Sequence, residues 1–452
     1  MKIVIIGGAG YVGLITGVGF AELGHDVIAV DRDEERVKAL SNGECHIYEP
    51  PLAEALVRTL ESRRIRFESD LSGSVGTPDV VFVAVGSPEG VDGHTDLSQI
   101  ESLIDPLAKS LHPPSVVVVK STVPVGVVSS MHAQFAKAVS GDELPVEVIV
   151  NPEFLSEGQG LFDFMNPTRI VIGGGSEFAQ GLMRELYKPF TTDSPLPDSP
   201  TASGVPLIET SIPEAQMIKY AANAYLATRV TFINEVANIC ERVGANVETV
   251  VHGLGIDPRI GTDYFSPGIG FGGPCLEKDL KSLVGFSNRY GHASSMFQTI
   301  LELNERQVDS IVEKARTAVG GKLGRAEIAI LGLAFKAQTN DVRSSLSLRI
   351  IEKLLDSGAI VRAHDPVAIP EARELLPSVD FFDDPYDAAD NAEVTLVLTE
   401  WPEYRDLDLE KLGSKMSQRR IVDGRNVLDP VRATMANFTY VSVGRPPGYP
   451  DF

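Results

Sequence analysis

The sequence predicts an α/β protein: two doubly wound parallel-sheet units joined by a long central helix. Three observations carry that reading. The chain opens KIVIIGGAGYVG, an apolar strand that breaks into a glycine loop and then a helix over Leu14–Leu23. The last third repeats this in outline, with EIAILGLAF (327–335) as a strand into a glycine turn. Between them, SIPEAQMIKYAANAYLATRVTFINEVANICERVG is helical over about 30 residues, on the order of 45 Å at the helical rise. That is long for one globular core and suggests a spine joining domains, or a dimer interface.

Each element follows from local pattern. After the first helix, DVIAVDRDEER is a strand ending at Asp31. Strand-like runs recur at 79–88, 115–124 and 146–154, with helical stretches between them, as in a parallel α/β sheet. From 191 to 206 the composition turns Pro/Ser/Thr-rich, which reads as a linker or exposed loop. In the last third SSLSLRIIEKLLDSGA is a helix, IVRAHDP (360–366) a strand ending at Asp365, and VTLVLTEW and RRIVDGRNVLD supply further strands. The expected domains are 1–206, 207–318 and 319–452, the first and last Rossmann-like. A chain of 452 residues exceeds one hydrophobic core, in keeping with that division.

Composition narrows the function. Forty Lys+Arg against 62 Asp+Glu give a net charge of −22, a field that repels polyanions and argues against nucleic-acid or anionic-membrane binding. No run approaches the roughly 18 apolar residues of a membrane helix, and Met1-Lys2 passes straight into IVIIG without a signal-peptide pattern. A cytoplasmic enzyme or binding protein is expected. Cys45, Cys240 and Cys275 are too few and too scattered for a disulfide framework or a zinc site. Cys45-His46 has no second such pair, so no metal is expected. Cys240 recurs at helical spacing with Ile233, Val236 and Ala237, which reads as core packing.

Gly8, Gly10 and Gly13 form G-x-G-x-x-G with Tyr11 and Val12 inside it, and Asp31 follows 18 residues after Gly13. Between a strand and a helix, with an acid at that distance, this is a dinucleotide-binding signal. Gly8 is read as the tight turn, Gly10 as the approach to the pyrophosphate, and Gly13 as the close helix–strand contact. Asp31 can accept hydrogen bonds from ribose hydroxyls, which favours NAD; Arg32 beside it is the one feature suited to a 2′-phosphate. The second unit lacks this motif and carries Lys336 after its turn, which suits a different nucleotide. In GFGGPCLEKDL (270–280), Cys275 sits among glycines and is followed by Lys278 and Asp279, so a metal ligand, a packing residue and a nucleophile are all open readings. Lys219 and Asn223 lie four apart and share one helix face.

GAGYVG, VDRDEER, IYEPPL, KSTVPVG, NPEFLSEG, MIKYAANAYLATRVTFINE, GFGGPCLEKD, ILGLAFKAQTNDVRSS and DGRN, in that order, resemble the UDP-glucose/GDP-mannose dehydrogenase family over nearly the whole chain. The resemblance implies oxidation of a nucleotide-linked hexose at C6, from alcohol to acid, with two NAD per sugar. Cys275 then becomes the nucleophile. A thiolate adds to the aldehyde, loss of hydride leaves a thioester, and water hydrolyses it.

Further roles are implied in the same way. Lys219 and Asn223 would stabilise the oxyanions, Asp279 would hold a water or take the first proton, and Glu153 would activate water. Thr122 would hold that water or touch the cofactor. Ser87, Glu157, Lys278 and Arg343 would lie on the cofactor side, with Arg36 near the adenosine. The backbone of Glu153, Phe154, Leu155, Ser156 and Glu157, together with Lys336, would bind the nucleotide sugar. The loop Tyr264, Phe265, Ser266, Pro267, Gly268 and also Gly272 would cover its base and diphosphate, and Arg259 and Arg425 would face the sugar. A homodimer or higher homo-oligomer is implied as well. DPRIG favours UDP-glucose as the sugar, with GDP-mannose or a UDP-N-acetylhexosamine as alternatives. Pro274, Glu277, Pro51 and VGSP depart from the family's commoner residues without removing a reacting group. An NAD-binding epimerase or a non-catalytic sensor is the contrasting class, and neither needs a nucleophilic cysteine.

Overall fold

The structure, a computed structural model, describes residues 1–71, 78–90, 95–111, 115–138, 146–192 and 204–449. Of the Pro/Ser/Thr-rich stretch 191–206, residues 193–203 lie outside the described residues. The chain forms two compact units, Met1–Ala222 with Lys281–Ala293, and Asn223–Leu280 with Ser294–Phe452.

The first unit is built on β1 (Lys2–Ile6), β2 (Asp26–Val30), β3 (Ile65–Glu68), β4 (Val80–Val83), β5 (Ser115–Val119), β6 (Val146–Val150), β7 (Ile170–Gly173) and β8 (Leu207–Thr210). Their order is β3-β2-β1-β4-β5-β6-β7-β8. Every pairing is parallel except β6 with β7. Helices cover both faces, so the central strands read as unbroken apolar runs such as IVII, VVFV and VVVV. The pleat sorts their side chains by alternation. Ile3 and Ile5 enter one core with Phe20 and Phe82, while Val4 and Ile6 enter the opposite one with Ile104 and Phe135.

The second unit holds β9 (Glu327–Leu331), β10 (Ile360–His364), β11 (Asp380–Phe381), β12 (Val394–Val397), β13 (Arg420–Asp423) and β14 (Thr439–Ser442). All run parallel in the order β11-β10-β9-β12-β13-β14. Counted within each unit, the first six strands of both sheets follow one permutation: third, second, first, fourth, fifth, sixth. The fold is the expected pair of Rossmann-like domains.

The long central helix spans Ile212–Val243, 32 residues. Ile233, Ala237 and Cys240 pack into the core of the second unit, as the cysteine's spacing implied. The helix after the glycine motif begins at Tyr11, three residues before the expected start. The short strands β3, β7, β8, β11 and β14 were not anticipated.

Candidate active site

The glycine loop comes directly from β1. Gly7 takes φ +80°, and the amides of Gly7 and Gly8 both donate to the Val30 carbonyl at the end of β2. Gly7, not Gly8, therefore occupies the left-handed position of the turn, which only glycine adopts cheaply. Gly13 is demanded by packing, because a Cβ there would lie 2.1 Å from the Gly7 carbonyl oxygen. Asp31 closes β2 and accepts from the Ala9 amide (3.0 Å) and the Asp33 amide (3.2 Å). It borders a cleft of about 430 Å³ lined by Gly7, Gly10, Arg32, Arg36 and Gly86. Arg36 is exposed there and pairs with Asp33 at 3.2 Å. This cradle fits a dinucleotide: a close-packed turn, a helix N-terminus and a half-buried carboxylate at one cleft. Val12 is half-buried beside the core. The Tyr11 hydroxyl bonds the Ser156 carbonyl (2.9 Å) and Glu49 (3.3 Å), which ties the glycine loop to NPEFLSEG.

That second loop follows β6 and holds a buried charge cluster. Glu153 Oε1 meets Lys219 Nζ at 2.8 Å, and Oε2 accepts from the Leu155 amide at 2.7 Å. Both side chains are under 10% exposed. Burial works to raise the Glu153 carboxyl, but the Lys219 charge and hydrogen bond, the Leu155 amide and Lys120 outweigh it and hold it below the usual carboxylate range. A carboxylate so held is ionised at neutral pH. The Ser156 amide donates to Asp163 at 2.7 Å, so the amides of Leu155 and Ser156 each meet a carboxylate of the chain itself. Phe154 stacks beneath Arg169 at 3.8 Å. Glu157 is half-buried in the same loop. Ser87 Oγ donates to the Thr122 carbonyl at 2.7 Å, fixing the KSTVP turn at the end of β5.

In the second unit Cys275 is exposed and sits immediately before the helix Leu276–Arg289. Its carbonyl accepts the Asp279 amide at 2.9 Å, so the thiol stands at a helix N-terminus, where free N–H groups favour negative charge. Asp279 is 1% exposed and accepts from Asn223 Nδ2 (2.6 Å) and Lys278 Nζ (2.8 Å). The preceding glycines are closely packed by the protein itself. Gly273 has φ +87° and meets the Phe335 ring, and a Cβ on Gly272 would lie 2.9 Å from the Ser344 carbonyl oxygen.

The loop that leads to Cys275 is clamped by buried amides. Asn234 accepts the Gly268 amide (2.8 Å), Gln307 donates to the Gly268 carbonyl (2.7 Å), and Asn304 holds both backbone groups of Phe271 at 2.9 Å. Tyr264 is exposed at φ +59°, Phe265 and Pro267 are buried, and Ser266 is exposed. Gly268 packs against Arg425, whose guanidinium donates to the carbonyls of Leu398 and Phe335 at 3.0 Å each. Lys336 follows Phe335, with its ammonium 5.9 Å from that ring. Gly272, Gly273, Lys336 and Arg425 thus converge on Phe335, a residue the sequence reading passed over although it stands in the quoted LGLAFK. Arg259 and Arg343 do not join them. Each is exposed and forks onto an aspartate two residues earlier, Asp257 and Asp341. Among the described residues no cluster of three His, Cys, Asp or Glu could hold a metal.

Three family models cover this architecture. The NAD-binding domain of the UDP-glucose/GDP-mannose dehydrogenase family matches residues 1–191, its central domain 213–306 and its UDP-binding domain 329–430. The chain belongs to this family. Its relatives include UDP-glucose 6-dehydrogenase TuaD of Bacillus subtilis, 40% identical over 99% of this chain and 94% of that one. The UDP-glucose 6-dehydrogenase of Rhizobium meliloti is 40% identical over 99% of this chain and the whole of that one. Among solved structures, a UDP-glucose dehydrogenase from Pyrobaculum islandicum superposes with a TM-score of 0.87 at 36% identity, covering 98% of each chain. A GDP-mannose dehydrogenase from Pseudomonas aeruginosa reaches 0.53 at 26%, covering 95% of this chain and 97% of that one. As a family member the chain is an NAD-dependent oxidoreductase of nucleotide sugars. No helix among the described residues is long and apolar enough to cross a membrane.

Proposed function

We propose that the chain oxidises UDP-glucose to UDP-glucuronate at C6. The observation that carries this reading is Cys275, exposed at a helix N-terminus with Asp279, Asn223 and Lys278 hydrogen-bonded one turn away. Fuller similarity to UDP-glucose dehydrogenases than to the GDP-mannose enzyme favours the glucose nucleotide.

In the first oxidation Asp279, with Lys219, takes the proton of the C6 hydroxyl, while Lys219 and Asn223 stabilise the alkoxide. Bound NAD supplies the hydride acceptor for each oxidation. The Cys275 thiolate then adds to the aldehyde carbon, giving an sp³ centre whose oxyanion meets the same donors. Loss of the second hydride leaves a thioester. Glu153 takes a proton from water, the hydroxide adds, and the Cys275 thiolate departs. Thr122 holds that water or touches the cofactor. Gly8, Gly10, Gly13, Tyr11, Val12, Asp31, Arg36, Ser87, Glu157, Lys278 and Arg343 serve the cofactor. Residues 153–157, Tyr264–Gly268, Gly272, Lys336, Arg259 and Arg425 serve the nucleotide sugar, within domains 1–206, 207–318 and 319–452.

The same reading makes the protein a cytoplasmic homodimer. Tyr225, Phe232 and Ile239 recur every seven residues on the exposed side of Ile212–Val243, an apolar stripe suited to a second copy.

The test is a substrate panel. UDP-glucose is expected to yield two NADH per sugar consumed, with GDP-mannose and UDP-N-acetylhexosamines far slower. One NADH per sugar with free aldehyde, or a faster rate on another sugar, would contradict it.

A further inference from the structure

Behind Glu153 lies a side chain with no part in the chemistry described above. Lys120 closes β5 as Asn151 closes β6, and both are buried, 5% and 2% exposed. Lys120 Nζ donates to Asn151 Oδ1 at 3.1 Å. The same oxygen accepts the buried Tyr187 hydroxyl at 2.6 Å, while Asn151 Nδ2 donates to the Val171 carbonyl at 2.8 Å. Asn151 is thus fixed from three sides, and it fixes the ammonium. Lys120, Asn151, Glu153, Phe154 and Tyr187 line one cavity of about 240 Å³.

A buried ammonium held by a neutral amide is costly unless a counter-charge faces it. The charged and titratable groups around it are Glu153 on the loop after β6, Lys219 on the helix Ile212–Val243, and Tyr187 on the helix Glu177–Thr191. Asp163 and Arg169 stand at the same cavity. Glu153 therefore lies in the field of two cations, one that it touches and one anchored behind it. Burial lowers the Lys120 ammonium from 10.5 to about 8, with Glu153 opposing that shift, so the group is still charged at neutral pH.

We propose that Lys120 is a positioning residue for the hydrolytic step: its buried ammonium, anchored through Asn151 and Tyr187, keeps Glu153 in the carboxylate form that takes a proton from water. Lys120 touches neither sugar nor cofactor in this scheme. It acts through Glu153, and the proposal rests on Glu153 being the base of the reading above. Loss of a neighbouring cation makes a carboxylate easier to protonate, so the acid side of the pH profile moves to higher pH.

The test compares the pH dependence of kcat for wild type, Lys120→Met, Lys120→Arg and Asn151→Asp. Asn151→Asp gives up the bond to the Val171 carbonyl but sets a negative charge against the ammonium, and it covers the case in which Lys120→Met fails to fold. In Lys120→Met and Asn151→Asp the acid limb is expected to rise. The acid midpoint of kcat should move up by about one pH unit, while KM for UDP-glucose and the first NADH of a single turnover stay near wild type. Lys120→Arg should restore the limb. A folded Lys120→Met with an unmoved acid limb overturns the proposal, provided Glu153→Gln has lost thioester hydrolysis. If Glu153→Gln hydrolyses the thioester as wild type does, the base assignment and this proposal fall together.

Discussion

In the first unit a glycine turn follows β1 and an aspartate closes β2; in the second a glycine turn follows β9 and an aspartate closes β10. The parallel extends to single bonds. Gly7 (φ +80°) donates to the carbonyl of Val30, the residue before Asp31, and Gly332 (φ +107°) donates to that of His364, the residue before Asp365. The two acids are used differently. Asp31 is half-buried, accepts two backbone amides and borders an open cleft. Asp365 is 2% exposed and accepts from the amides of Leu333, Ala334, Val367 and Ala368 and from the Trp401 indole. An acid at the end of the second strand therefore does not mark a ribose site by itself. What separates the two is enclosure: five of the chain's own donors close in a buried Asp365, whereas Asp31 keeps two and still faces a cleft.

The largest expected contrast lies in stability. Asp365→Ala removes the acceptor of five donors, most of them buried, and should cost about 3 kcal/mol or more, read as a large fall in Tm for the second unit. Asp31→Ala should cost about 1 kcal/mol or less. Equal losses would erase the distinction between the two acids.

Gly13→Ala comes next. Its Cβ would press on the Gly7 carbonyl from 2.1 Å and push the turn off β1. NAD affinity measured by calorimetry should drop at least about tenfold, a loss typical of a misplaced binding loop, while UDP binding changes little. Unchanged NAD affinity would show that the turn tolerates the shift.

The smallest effect sharpens the role of Asp31. Asp31→Ala should raise KM for NAD about tenfold and leave kcat within a factor of about three, the signature of uniform binding. A preference for NADP in the wild type would mean that Arg32 governs the site.

The first glycine turn was legible because its spacing is fixed by backbone contacts: Gly13 must clear Gly7, and Asp31 must reach Ala9. The second unit was legible through the strand, turn and Asp365, without any glycine pattern. Side chains that act through folding were not. Lys120 ends an apolar strand run and, taken alone, reads as a solvated lysine; only the meeting of β5, β6 and the helix Glu177–Thr191 buries it. Arg259 and Arg343, expected at ligands, each fork onto an aspartate two residues back, a local pairing that composition does not reveal. The strands IVIG and LIET are four residues long, too short for alternation to stand out, and the antiparallel β6–β7 contact leaves no mark in either sequence.

Cys275→Ser tests the central claim most directly. Alcohol oxidation needs a base and NAD, but the second step needs the thiolate, and an ester to serine hydrolyses more slowly than a thioester. Incubation with UDP-glucose and NAD, followed by mass spectrometry of the intact protein alongside the NADH trace, is expected to show no steady turnover and at most a slow burst with sugar retained on the chain. Near-normal turnover with two NADH per sugar would contradict the assignment of Cys275 as the nucleophile.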